Sequence, residues 1–402
     1  MSLTFLVCQA KKIDRISSAS FLLIALLTNC VTANAQTVSV AGFSFGGESA
    51  AVEKRFPISA AAIEKLRFQD VTGSAAMSRK IMALARATKH SHLSLNTNQL
   101  VSIKNSDQAL VVALVITNET VFVEKFQSHR KIFISIHGEA LLFDFKAKTV
   151  IRSYPLNAMI FDAKVGEVAS NDLESLAADL IYADDGKSLL HQFAKKLEVL
   201  SVPSPGTKTA QIKQVEISPE AITHYPNTLQ SAGMPQSIIA DEFSTILSAK
   251  TGVPLIPPNI SGATAVMWVR FEDMNDYELK LPESDYAFQL NLKRFAKIQH
   301  SKNNVGSSYI YAAYIDIAFR EPMGNITYLE SELKNGEVAV VPAGREAGDD
   351  FPAYQDAIRG LFGKFADSVA RQDLSWIAKA ASAKDIQSQI KKTREILESC
   401  KK

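Results

Sequence analysis

Apolar positions along the chain recur at two periods, two residues and three to four, and they do so in the same order twice. Thr37–Phe45 alternates, with Val38 and Val40 on one face, which predicts a strand. Ala75–Thr88 places Met77, Ile81, Leu84 and Ala85 on one side of a helix. Ala109–Ile116 is a continuous apolar run bounded by Asn118, the pattern of a strand buried on both faces. Thr120–Phe126 and Lys131–His137 read as further strands, and Leu141–Phe145 and Thr149–Tyr154 as a hairpin turning at Lys146-Ala147-Lys148. Helical spacing returns at Leu173, Leu176, Ala177, Leu180 and Ile181, breaks at Asp184-Asp185-Gly186, and resumes at Leu189, Leu190, Phe193 and Leu197.

The second run begins at Pro235, which opens a helix carrying Ile238, Ile239, Phe243, Ile246 and Leu247 and ending at Gly252. Ala265–Phe271 predicts a strand. Tyr286, Phe288, Leu290 and Leu292, then Tyr311, Ala313, Ile315, Ile317 and Phe319, alternate with polar or small residues as half-buried strands do. A turn at Glu321–Asn325 leads into Ile326–Glu332. Phe351, Tyr354, Ile358, Leu361, Phe362, Phe365 and Val369 then form a long amphipathic helix. Leu141–Tyr154 and Ile315–Glu332 hold equivalent places in the two runs. The repetition is one of element order, not of residue identity.

Between the runs, Pro203, Pro205, Pro219, Pro226 and Pro235 crowd a segment that long helices and central strands do not tolerate. It reads as a linker over 201–234 with one short edge strand, Gln211–Ile217. Beyond Gln372, Ser382 and Asp385 have capping-box spacing. Ile386, Ile390, Ile396 and Leu397 form a thin apolar stripe, read as a surface helix packed on the body in preference to a partner-binding one. The expected organisation is a leader over 1–35, α/β domains over 36–200 and 235–372 flanking the linker, and a charged amphipathic helix over 373–402. Each domain is expected to be a two-layer α/β (α+β) unit with a mixed or antiparallel sheet and helices on one face, the pair forming an internal duplication if the repeated order is real.

Composition changes this picture at the N-terminus. Lys11, Lys12 and Arg15 precede Phe21–Leu27, and Ala33-Asn34-Ala35 forms a small-x-small exit, the layout of a secretory signal too short to span a bilayer. Leu27-Thr28-Asn29-Cys30 has the outline of a lipoprotein signal, but Asn29 departs from the small residue usual before an acylated cysteine, so cleavage near Ala35 is favoured over a lipid anchor at Cys30. Cleavage removes three basic residues and one acidic one and leaves a formally neutral chain, which offers no general pull on nucleic acid. It also leaves Cys400 as the one cysteine, in a charged tail, so no intramolecular disulfide is expected.

Candidate chemistry is sparse. Gly42-Phe43-Ser44-Phe45-Gly46 fits G-x-S-x-G, yet it begins too near the mature N-terminus for a preceding sheet, and no immediate strong helical pattern follows over Glu48–Pro57; a strand ending in a glycine turn is the expectation. His90 and His92 have the spacing of two ligands on a strand but no acidic or thiol companion. His129, His137, His191, His224 and His300 are scattered. Asp184-Asp185 reads as a turn, and Asp349-Asp350 as the start of a helix. Tyr286, Phe288, Tyr309, Tyr311 and Tyr314 could stack on a sugar or base, though core packing accounts for the alternating ones. No catalytic, cofactor-binding or metal site is assigned.

The first strand Val38-Ser39-Val40-Ala41-Gly42-Phe43, the following helix and the charged-turn hairpin Leu142-Phe143-Asp144-Phe145-Lys146-Ala147-Lys148-Thr149-Val150 resemble small α/β domains of Gram-negative envelope proteins. Examples are the periplasmic domain of the curli secretion lipoprotein and the amino-terminal domain of the Tol-pathway propeller protein. The resemblance implies envelope assembly, secretion or scaffolding and transfers no functional residue. The expectation is a periplasmic or secreted protein, without a transmembrane span in the mature chain, that binds an envelope protein or small ligand without catalysis. The alternatives are a hydrolase assembled from scattered residues and a two-domain solute-binding protein.

Overall fold

The computed structural model describes residues 36–401 apart from 70–74, 91, 98–109, 127, 231–232, 260–265, 273–274, 305, 343–349 and 372. The leader, Cys30, Ala35 and Asp349 lie outside the described residues. The chain is an α/β protein with two mixed sheets. The first half supplies β1 (Gln36–Gly46), α1 (Ser49–Arg55), α2 (Pro57–Gln69), α3 (Ala76–Ala87), β2 (Leu93–Asn96), β3 (Leu110–Phe126), β4 (His129–Asp144), β5 (Thr149–Val165), α4 (Ser170–Tyr182) and α5 (Leu189–Glu198). The second supplies β6 (Ala210–Ile217), α6 (Pro219–Ile222), α7 (Met234–Thr251), β7 (Val266–Phe271), β8 (Asp276–Lys280), β9 (Tyr286–Asn303), β10 (Gly306–Glu321), β11 (Ile326–Pro342), α8 (Phe351–Ala370), α9 (Ile377–Ala380) and α10 (Ile386–Ser399).

The two halves share a topology and three of its irregularities, with one further bulge at His300 in the second half alone. In each, a first strand runs parallel to the second, and the second, third and fourth form an antiparallel meander: β1-β3-β4-β5 and β6-β9-β10-β11. One cross-sheet rung runs Val40–Val112–Leu142–Arg152, and its counterpart Ile212–Phe288–Phe319–Leu329. Bulged residues fall at matching places: Ala41 and Lys213 on the first strands, Thr117 and Lys293 on the second, Ile151 and Tyr328 on the fourth. Both hairpins turn through four residues, the last of which, Lys148 and Asn325, is left-handed at φ 51° and 49°. The repeated element order is thus a repeated fold.

Several strands are longer than the sequence pattern predicts. Asn118 does not end a strand, because the bulge at Thr117 absorbs the break and β3 continues to Phe126. Gly138 likewise sits inside β4. The segment after β1, which shows no strong helical pattern over Glu48–Pro57, holds α1, and α2 follows it. No local side chain caps α2; Glu119 of β3 accepts the Ile58 and Ser59 amides at 3.1 and 2.7 Å. Glu272 does the same for Met77 and Ser78 at the start of α3 (3.1 and 2.6 Å).

The largest departure concerns β7, which the sequence order places in the second half. It pairs instead with β1 (Ser44 opposite Phe271) and with β8, and β8 meets β5 at Thr149–Lys280. The strands β1-β3-β4-β5-β8-β7 therefore close a ring around Val111, Ala113, Val115, Leu141, Phe143 and Phe271. Helices α1–α5 cover the outside of this sheet over a second core that includes Phe43, Phe56, Met77, Ile81 and Phe193. The two sheets are stitched by Leu255, which exchanges two backbone hydrogen bonds with Ser153 (2.7 and 2.9 Å), while the Ile256 amide donates to Ala210 (2.9 Å).

The core of the second half gathers Phe243, Phe288, Phe319, Phe362 and Phe365 under α7 and α8. The C-terminal helix α10 belongs to that core through Ile386, Ile390, Ile396 and Leu397, and Cys400 is buried there, not exposed in a charged tail. Arg394 donates to the Ser368, Val369 and Arg371 carbonyls and so closes the C-terminus of α8. Ser382 is not the cap of α10. Its hydroxyl accepts the Glu332 amide on the edge of β11 at 3.1 Å, and Asp385 occupies the cap position but its carboxylate accepts from the Gln389 side chain (2.8 Å) and caps no backbone amide.

Candidate functional site

The inner face of β4 reads Phe143, Leu141, Glu139, His137, Ser135, Phe133. Apolar residues fill the ring, polar ones follow, and an aromatic ends the row. Helices α7 and α8 of the second half lie over the polar stretch, so a sequence that would suit a solvated face is buried between the halves. The α7 helix has two buried faces. Ile239, Phe243 and Leu247 enter its own core, and Asp241 and Glu242 turn towards the first sheet.

Burial decides the electrostatics of this seam. Desolvation pushes the Glu139 carboxyl up to about 8, helped by the nearby Asp241 and opposed by a hydrogen bond from Ser153. Desolvation likewise raises Asp241 to about 7, against the pull of the Asn118 amide (2.9 Å) and Arg55. Glu242 is also raised by burial, with Arg359 Nε 3.1 Å away as its counter-charge. His137, 3% exposed, is driven down to about 3 by desolvation and by Arg359, so it is neutral at physiological pH.

The geometry limits what His137 can do. Ser135 Oγ and Asn157 Nδ2 both lie 3.3 Å from its Nε2, and Glu242 Oε2 lies 4.0 Å from the same atom. All three groups face Nε2, while Nδ1 is buried and has no partner. A serine–histidine–carboxylate relay needs serine on one ring nitrogen and the carboxylate on the other. Here they crowd one nitrogen. The adjoining cavity, about 30 Å³ between Phe122, Phe133, Phe161 and Phe351, has the volume of one or two waters and no room for a substrate.

The residues singled out in the sequence lie elsewhere. Ser44 is buried within β1, its hydroxyl turned to the Phe45 carbonyl (3.2 Å), so the glycine-flanked serine forms no strand-to-helix elbow. His90 accepts the His92 and Leu93 amides at Nδ1 and meets the Leu200 carbonyl at Nε2 (2.8 Å), which commits both nitrogens to the backbone. Asp185 accepts the Lys187 and Ser188 amides in a turn, and Asp184 pairs with His191. His224 packs edge-on against Tyr354 and Phe295, and His129 and His300 lie on exposed strand ends. Asp350 sits at the start of α8 but binds Lys297 and the Tyr311 hydroxyl (2.6 Å). Of the aromatics, Phe288 and Tyr311 are buried, Tyr286 and Tyr309 are packed against the core, and Tyr314 lies under Arg294 at 3.8 Å. Asn118, Asn157, Asp241, Glu242 and Arg359 carried no local signal, because only the packing of one half on the other brings them together.

A second feature is open. The outer face of the second sheet forms a cleft of about 380 Å³ lined by Gln214, Gln289, Asn291, Asp316, Arg320 and Glu332. Lys293 pairs with Asp316 (3.3 Å) and Arg320 with Glu330 (3.2 Å) along it. No helix among the described residues is long and apolar enough to cross a membrane.

Neither a protein family nor a curated protein matches the chain. Solved structures similar to part of it include a neuraminyllactose-binding hemagglutinin homologue from Helicobacter pylori (11% identity, TM-score 0.26, covering 43% of this chain and 91% of that one). A minor lipoprotein from Acinetobacter baumannii follows (10%, TM-score 0.21, 41% and 91%), and a DUF330 protein from Xanthomonas campestris (10%, TM-score 0.20, 44% and 91%). Identities and scores at this level transfer no site to this chain.

Proposed function

We propose that the chain is an exported envelope protein that acts by binding, with the open face of the second sheet as its contact surface. The reading is carried by one observation: a face that is apolar and closed over in the first half is polar and uncovered in the second, on strands held rigid by a large aromatic core. Amide, carboxylate and guanidinium groups on such a scaffold suit a hydrogen-bonding ligand or a polar protein surface. The leader pattern over 1–35 supports export. The crowded nitrogen of His137 and the small volume of its cavity weigh against hydrolysis, and the Ser153–Leu255 stitch weighs against halves that open and close on a solute.

The test is a photo-crosslinking residue placed at Gln289 in the native cell, with one at Glu64 on the outer helical layer as control, followed by fractionation. Adducts at Gln289 alone, in the envelope fraction, are the expected result. Cytosolic protein, equal crosslinking at the two sites, or turnover by purified protein that His137→Ala abolishes would each sink it.

A further inference from the structure

β11 is the outermost strand of the second sheet, and its first part is covered. Leu333 bridges Ala381, Ser382 receives the Glu332 amide, and Gln389 Oε1 accepts the Glu330 amide at 2.9 Å. Beyond that cover, Gly336–Pro342 pairs only with β10 among the described residues. Val338 and Val340 on this stretch are 61% and 67% exposed. Val338 lies opposite Ile310, and Ile310 opposite Ile298, itself 54% exposed, so an apolar rung crosses the sheet and ends at the uncovered edge.

An unpaired edge is a template for another strand, and folded proteins usually blunt it with charge or cover it. The corresponding strand of the first half does both. The tail of β5 carries Asp162 and Lys164, and Gln192 engages the Asn157 amide and carbonyl (3.4 and 2.8 Å). Further back, β5 accepts strand segments from the second half at Thr149 and Ser153. On β11 the free stretch Gly336-Glu337-Val338-Ala339-Val340-Val341-Pro342 has one charge, and the Glu337 carboxylate is turned to Lys364 on the helical face (3.1 Å). The edge is left ready for a strand.

We propose that this edge pairs with the same edge of a second copy of the chain, antiparallel about a two-fold axis at Ala339. The cover at Ala381 bounds the free edge on one side and Pro342, which has no N–H, on the other, so the usable stretch is short and its middle falls at Val338–Ala339. Centring on Ala339 sets each Val338 opposite the Val340 of the other copy and sets Glu337 opposite Val341, with no like charges facing. The four valines join the Ile298–Ile310 rungs of both copies, and the two four-stranded sheets become one sheet of eight.

Sedimentation equilibrium of the mature protein up to on the order of 0.1 mM, the range a small interface calls for, reads this directly. The expected result is a concentration-dependent doubling of mass. Combined Val338→Lys and Val340→Lys substitution is expected to leave a monomer with an unchanged melting temperature, since both side chains are exposed. Ala339→Cys is expected to form an intermolecular disulfide on mild oxidation, whereas Cys400 is buried. A wild-type protein monomeric throughout that range overturns the proposal. So does a dimer that survives the double lysine substitution, which would place the contact on another surface.

Discussion

Val111, Ala113, Val115, Leu141 and Phe143 of the first half correspond in register to Ala287, Gln289, Asn291, Ala318 and Arg320 of the second. The first set lines a ring of six strands, whereas Gln289, Asn291 and Arg320 of the second line an open cleft and only the small Ala287 and Ala318 are buried. Farther along, Phe122, Phe133 and Phe161 correspond to Ile298, Ile310 and Val338. Phe351 of α8 packs on Phe122 (6.3 Å), and no element of the same chain packs on the second rung among the described residues. The backbone plan is the same in both, so topology does not decide whether a sheet face is closed. Side-chain chemistry does: an apolar face must be covered, and the crossover of the second half lends β7 and β8 to cover it.

Exchanging single residues at paired positions tests that statement most severely. Phe143→Ala is expected to cost about 3–5 kcal/mol in urea unfolding, because it empties a packed interior. Arg320→Ala, at the matching position, removes only an exposed pair with Glu330 and is expected to shift stability by less than about 0.5 kcal/mol. Similar losses at the two positions would mean that the faces are not chemically distinct.

The polar seam sharpens the contrast, since its residues Ser135, His137 and Asn157 correspond to Ala312, Tyr314 and Lys334. Arg359→Met leaves Glu242 buried beside a neutral histidine and is expected to cost about 3 kcal/mol at neutral pH. Adding Glu242→Gln should recover much of it. A second substitution that recovers nothing would show that Arg359 matters for its packing and not for its charge.

How much of this was legible follows from range. The turn at Lys146–Lys148, the glycine cap at Gly252 and the stripe of α8 depend on neighbours within a few residues, and the pattern predicts each of them. Helix α2 escapes because its N-terminal cap, Glu119, comes from a distant strand and its apolar periodicity is blurred by Ala60-Ala61-Ala62. The placement of β7 escapes because strand partners are not written in local spacing. Along β4, Ser135, His137 and Glu139 alternate with Ile134, Ile136 and Ala140, and such alternation ordinarily marks a solvated face. Only the helices of the other half make it an interior. The duplication was visible as element order alone because matching positions, such as Phe143 and Arg320, had no reason to share a residue.

Glu139 gives the seam a pH signature. Its folded value near 8 lies above that of an unfolded glutamate, so from about pH 4.5 to 8 the unfolded state binds fewer protons and stability falls as pH rises. His137, held near 3, acts in the opposite sense: the unfolded ring takes up a proton below about 6.5, so its contribution is lost as pH falls towards 3. The two effects oppose one another below pH 6.5; above it Asp241, raised to about 7, adds to Glu139 until Glu139 alone is left near pH 8. Between pH 6.5 and 8 the protein is expected to lose on the order of 2 kcal/mol, and Glu139→Gln to flatten that limb in urea titrations. A variant with the wild-type slope would show that Glu139 is already ionised in the folded protein.

The smallest effect tests how the ring is fastened. Glu272, just after β7, accepts the Met77 and Ser78 amides, so one carboxylate caps α3 and ties the borrowed strands to the first half. A cap of this kind is worth about 1 kcal/mol, and Glu272→Ala is expected to cost that much. Amide exchange separates the two roles. If the carboxylate only caps the helix, faster exchange will be confined to Met77 and Ser78; if it also holds the ring, protection will fall along β7 where it pairs with Ser44–Gly46. Loss of protection in both places is the expected outcome. Unchanged exchange along β7 would show that the apolar interior alone keeps the ring closed.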